Sequence, residues 1–239
     1  GEEDEVKIGG ERFLEFTARC CKEGILPENC YCVRLYRTTY EGERLVNTTQ
    51  VNYVDPLDRK QILEADQELR HQMNIITDFL RKYVPGYEHC TIKTGASTLG
   101  IRESRRFSGK YVMNISDLRE ARRFPDVVVH KAQFVVDIHN PVGGGQANGI
   151  AEYVDAYDIP WRSLVPQKME NLILAGRCIS GTHEAMASYR VMAIAMAIGE
   201  AAGIGAALAI DHDVTPENLD VKYIQKALMD KGAVLFDEK

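Results

Sequence analysis

The chain has 239 residues, 45% hydrophobic and 27% charged, with a formal net charge of −6. That length carries one large domain or two small ones with a proper core. Lys and Arg are scattered among acids with no long basic run, which argues against a nucleic-acid partner.

Six cysteines (Cys20, Cys21, Cys30, Cys32, Cys90, Cys178) are an even number, so a disulfide framework is weighed. A chain this size needs no staples and the spacing is irregular. Reduced thiols and a cytoplasmic location are therefore expected. Cys30 and Cys32 alternate with one residue, and no CxxC or HxxxH pair follows at ligand spacing, so no metal site is expected. The start, Gly1-Glu2-Glu3-Asp4-Glu5, shows neither a basic n-region nor an apolar stretch. It also lacks an initiator Met, which reads as a cut chain or a tag remnant.

In chain order, residues 11–23 form an expected helix stopped by Gly24 and Pro27. Strand-like runs at 31–38 and 44–51 flank Tyr40-Glu41-Gly42, a hairpin connection. Asp55-Pro56 opens a long helix to about Val84, with Ile62, Leu69, Met73, Ile76, Phe79, Leu80 and Tyr83 at three- and four-residue steps. Residues 91–113 look strand-like with breaks at Gly95 and Gly100. Ser116 or Asp117 caps a small helix to Arg123. Strands are expected over 127–138, 153–161 and 171–175, the last wholly apolar and buried. One long helix over 184–210 and a terminal helix over 216–231, capped by Thr215, complete the chain.

Together these elements predict an α+β fold with a mixed or antiparallel sheet and a C-terminal strand–long-helix unit. Boundaries are expected at 1–165, 166–212 and 213–239. The helix after Val191 is apolar nearly all round, so it is buried in a core or in a membrane. Glu200 at mid-span, the Ala/Gly richness and the lack of an aromatic belt argue for a core and no membrane partner. Gly199 and Gly203 would permit close packing.

The chemistry concentrates at 171–190, where a strand ends at Gly176 and a helix begins just beyond. A glycine there lets a ligand approach the backbone, and a helix amino end stabilises an electron-rich group. His183 stands as a structural helix-start residue or as a proton donor. Arg102, Arg105 and Arg106 form a solvated face or supply a guanidinium for a carboxylate. His139 reads as a loop residue, and the Gly143–Gly145 loop as a turn rather than a phosphate cradle.

Two stretches carry a family resemblance. One is Asn171–Arg190, with its Ala-Gly-Arg turn, its His-Glu-Ala-x-Ala-Ser-x-Arg run and the Gly-x-Ala-Ala-Gly helix after it. The other is Gly100-Ile101-Arg102-Glu103-Ser104-Arg105-Arg106, with Gly109 and Tyr111. Together they resemble the FAD-dependent oxidoreductase family, within the glutathione-reductase-like flavoprotein group, over about Tyr31 to Ala207. The resemblance implies FAD, held between an N-terminal Gly-rich βαβ unit and this later strand–helix unit.

It further implies that Gly176, Arg177, Ser188, Arg190, Val191, Met192 and Ala193 contact the cofactor. Arg177 stands where many relatives carry an acid, and a cation favours phosphate over ribose hydroxyls. His183 and Arg102 are the implied catalytic candidates, for hydride transfer between flavin and an unknown small substrate. No Gly-x-Gly-x-x-Gly occurs in the chain. The expectation is thus a C-terminal piece of such an enzyme, flavin-free or weakly binding and inactive alone, whose partner is the N-terminal FAD-binding segment of the same parent. The competing reading is a non-catalytic α+β binding or assembly module.

Overall fold

The computed structural model describes residues 6–138 and 151–237. The chain packs as two compact units, the first running to Ile101 and the second comprising Arg102–Ile138 and the chain from Ala151 onward. Residues 166–212 and 213–237, expected as separate segments, pack with 102–138 into the second unit. The architecture is α+β, and its strands pair two by two in three antiparallel sheets among the described residues.

The first unit opens with β1 (Lys7–Ile8) and β2 (Glu11–Arg12), a minimal hairpin leading into α1 (Phe13–Lys22). Phe13, Phe16, Thr17 and Cys20 are the buried positions of α1, three and four residues apart, which is one face of a helix. The hairpin read from the sequence is present but shorter: β3 (Arg34–Arg37) pairs with β4 (Arg44–Asn47), Arg37 opposite Arg44. Cys30 closes a single 3-10 turn rather than lying in a strand.

The helix expected from Asp55-Pro56 is α2 (Arg59–Tyr83); Asp58 caps it by accepting from the Lys60 and Gln61 amides. Phe13, Phe16, Cys20, Leu26, Val33 and Leu35 meet Ile76, Phe79, Leu80 and Val84 in a core of their own. Residues 91–101, expected as part of a strand-like run, contain no strand.

In the second unit, α3 (Ile115–Arg119) starts at a reciprocal cap. The Asn114 side chain accepts from the Asp117 amide while the Asp117 carboxylate accepts from the Asn114 amide. Strand β5 (Val127–Ala132) pairs with β6 (Tyr157–Pro160), with register shifts on either side of Val129. Between them lies the buried carboxylate of Asp158. It accepts from Arg123 Nη1 at 2.9 Å and from His130 Nδ1 at 2.8 Å, and from the Phe124 and Lys131 amides. A buried charge of this kind is tolerated only when so many donors meet it.

Three expectations change here. Residues 171–175 are not a buried strand: they are irregular, half-exposed, and tied by a single backbone bond from Leu174 N to Leu164 O. An apolar run becomes a strand only when a neighbouring strand pairs with it, and no described strand does.

The helix expected over 184–210 is two helices, α4 (His183–Tyr189) and α5 (Met192–Asp211), with Val191 extended at φ −71°, ψ 154°. α4 is held to the core by Tyr189, whose hydroxyl donates to Ile179 O at 3.1 Å, so the chain turns before α5 begins. The terminal helix is α6 (Val221–Asp230), capped by Asp220. Thr215 instead accepts from the Asn218 side chain in the preceding turn.

Helix α5 packs against β5 and α6 through Ile194, Ile198, Ala201, Gly205 and Ala209. It is long and apolar enough to cross a bilayer, yet this stripe of five lies in a protein core. The opposite side was expected to be buried and is not: Met192 is 81%, Met196 71% and Ile210 80% exposed. Gly199 and Gly203 also face open space. The close approach belongs instead to Gly205, where an added Cβ would overlap the Trp161 ring.

Candidate functional site

From Arg102 onward, the two stretches that carry the resemblance lie side by side within the second unit. Phe107 N donates to Cys178 O at 3.3 Å, Met113 N to Ser180 O at 3.0 Å and Thr182 N to Met113 O at 2.8 Å. The Ser180 hydroxyl accepts from the Gly109 amide, and an added Cβ at Gly109 would come within 2.7 Å of Ser180 Cβ. A glycine is required at 109 because the two segments run this close. The pairing sets Glu103 and Arg106 next to the turn 176–183.

Charge gathers around Asp137. Its carboxylate accepts from Arg190 Nη2 at 2.7 Å and from Arg102 Nη1 at 3.2 Å, and its backbone carbonyl takes a second bond from Arg190. Burial, and then the neighbouring Arg102 charge, push Arg190 below its ordinary value against the pull of Asp137; Arg177 adds to the repulsion. Arg177 is exposed on the 3-10 turn Gly176–Cys178. Two guanidinium groups thus meet on the Asp137 carboxylate, and the Arg177 charge acts on one of them, Arg190. Beside Arg190 begins α5, capped by no side chain and carrying no acid in its first turn. Its first amide donors and its positive dipole end add to the same field.

A second group forms around His183, the first residue of α4. Its Nδ1 lies 2.6 Å from Glu103 Oε2. Glu103 is also paired with the Arg106 guanidinium, and Arg106 Nε donates to Gly181 O at 2.8 Å. Half of the His183 side chain is exposed.

The remaining expected residues fall in three places. Gly176 sits at φ +82°, a conformation that suits glycine, with open space where a Cβ would point. Val191 is half-buried, while Met192 and Ala193 are exposed at the start of α5. Ser188 is fully buried, bonded to the Tyr157 hydroxyl at 2.8 Å and donating to Phe134 O at 2.7 Å, so it belongs to the core and presents no atom to a ligand. Arg105 is exposed. His139 and Gly143–Gly145 lie outside the described residues. A shallow hollow lined by Arg119, Gln133, Tyr153, Val154 and Asp155 shares no residue with these groups.

Two residues of the site went unread in the sequence. Glu103 lies inside the Arg-Glu-Ser-Arg-Arg run, where attention fell on the arginines. Asp137 interrupts the apolar run Val135-Val136-Asp137-Ile138, and a lone acid in such a run is the signal that was available.

The model of the FAD dependent oxidoreductase family matches residues 6–228. The chain therefore belongs to the FAD-dependent oxidoreductases. Searches of curated proteins and of solved structures gave no match.

The donor set fits the anionic portions of that cofactor. Cationic side chains and an uncapped helix start answer a phosphate or the electron-rich pyrimidine edge of a reduced ring.

Proposed function

We propose that the chain forms one wall of an FAD site and the substrate side of an oxidoreductase that moves a hydride between a small substrate and the flavin. The observation that carries this reading is the start of α5, with no side-chain cap at Val191, following Arg190, which shares Asp137 with Arg102 and feels the charge of Arg177. Bound FAD would supply the two-electron chemistry. The residues of this chain would hold and polarise it: Arg190 and the first amides of α5 toward the ring, Arg177 toward a phosphate, with Gly176 shaping the turn between them.

The outward face of α5 would be covered by a Gly-rich dinucleotide-binding segment of the parent, since the 239 residues contain no Gly-x-Gly-x-x-Gly. The 239-residue chain alone is then flavin-free or binds weakly, and turns over no substrate by itself. An absorbance spectrum of the parent tests the reading, with Arg177→Ala and Arg102→Ala as variants. A flavin band, reduced by Arg177→Ala, supports it. A colourless parent, or flavin content and turnover indifferent to both changes, overturns it.

A further inference from the structure

His183 is half-exposed, and the ring atom that meets Glu103 is Nδ1 rather than Nε2. The partner of Nδ1 is a carboxylate ion-paired with the Arg106 guanidinium, and an ionised carboxylate has no proton to donate. At a separation of 2.6 Å the imidazole must therefore be the donor. That fixes the neutral ring as the Nδ1–H tautomer and leaves the lone pair on Nε2, for which no hydrogen bond is seen among the described residues of this half-exposed side chain.

Arg106 is itself fixed. Its Nε is bonded to the Gly181 carbonyl, and an added Cβ at Gly181 would lie 2.6 Å from the Tyr189 hydroxyl, so the Tyr189 ring closes on this backbone. The chain of support runs from a buried tyrosine through backbone, guanidinium and carboxylate to the ring of a half-exposed histidine.

We propose that Glu103 is the positioning residue of a proton-handling pair, holding His183 with Nε2 presented as the atom that exchanges a proton with substrate. The role rests on the oxidoreductase reading above, whereas the tautomer does not. In the oxidative direction Nε2 takes the proton of a substrate O–H or N–H. That bond breaks and an Nε2–H bond forms; the resulting imidazolium is balanced by Glu103. The substrate's two electrons leave with its hydride to the FAD of the proposed function, so proton and hydride together balance the oxidation.

The test reads the tautomer directly, without flavin. The 239-residue chain, labelled with 15N-histidine, is observed by long-range 1H–15N correlation at alkaline pH, where imidazole rings are neutral. His183→Asn assigns the resonances. In the unaltered chain Nδ1 of His183 is expected at the protonated, pyrrole-type position and Nε2 at the unprotonated one. In Glu103→Ala the pattern is expected to exchange, with the proton moving to Nε2.

An Nε2–H tautomer in the unaltered chain, or a pattern unmoved in Glu103→Ala, overturns the proposal. The measurement on the unaltered chain decides the matter even if the variant fails to fold. A flavin-free parent would sink the oxidoreductase reading while leaving the tautomer result intact. A wrong tautomer would do the converse.

Discussion

Two glycines on α5, two residues apart, are expected to respond to alanine with opposite sign. At Gly205 an added Cβ would overlap Trp161 Cη2, with Cζ3 at 3.0 and Cζ2 at 3.1 Å. The indole is 4% exposed and its Nε1 donates to Pro216 O, so it has little freedom to slide away. Overpacking of a tight core costs about 1–3 kcal/mol, and an overlap this deep belongs near the upper end. Exchanging glycine for alanine in a helix returns about 1 kcal/mol, leaving Gly205→Ala destabilised by roughly 2 kcal/mol.

At Gly203 nothing lies within 4 Å of the added carbon. There the propensity gain of about 1 kcal/mol stands alone. Urea titration followed by tryptophan fluorescence reports on this unit, because Trp161 is the chain's single tryptophan. With a slope near 2 kcal/mol per molar, the midpoint should fall by about 1 M for Gly205→Ala and rise by about 0.5 M for Gly203→Ala. Midpoints moving in the same direction would refute the assignment of inward and outward faces.

Other outcomes follow from buried polar groups in the same unit. Asp158→Ala leaves the His130 Nδ1 and the Phe124 and Lys131 amides without their acceptor, and should cost about 3 kcal/mol in the same titration. Ser188→Ala should cost about 1–3 kcal/mol, because the Phe134 carbonyl and the Tyr157 hydroxyl both lose a partner. Burial pushes the Tyr157 hydroxyl up to about 12 from 10.0. Its unfolded form ionises first, so stability is full below about pH 10 and falls toward pH 12, by about 2–3 kcal/mol at most. Unfolding measured at pH 9 and at pH 11 should show this loss, and Tyr157→Phe should blunt it.

Local signals in the sequence located most of the elements. The stops at Gly24 and Pro27 after the first helix and the turn chemistry at Tyr40-Glu41-Gly42 both correspond to structure at the expected positions. So does the Asp-Pro opening of α2, where the cap is Asp58 rather than Asp55. The misreadings arose where the outcome depends on a neighbour. Leu172, Ile173 and Leu174 form the same apolar run whether or not another strand pairs with them.

The all-apolar composition of α5 likewise says nothing about which side is covered. Its break from α4 is set by Tyr189 reaching the Ile179 carbonyl, a contact invisible to periodicity. The candidate site was legible as two motifs. That they are laced together, and that Asp137 and Glu103 supply the acids between the arginines and the histidine, depends on chain pairing across more than thirty positions.

The two largest side chains at the amino end of the outward face of α5 are both methionine, at 192 and 196. Unbranched thioethers mould to whatever surface approaches, so this face can accept a partner without demanding a precise shape. The same atoms are open to peroxide, and a sulfoxide at either position would turn a greasy surface polar. Storage under air would therefore alter this exposed face first, while leaving the folded core untouched.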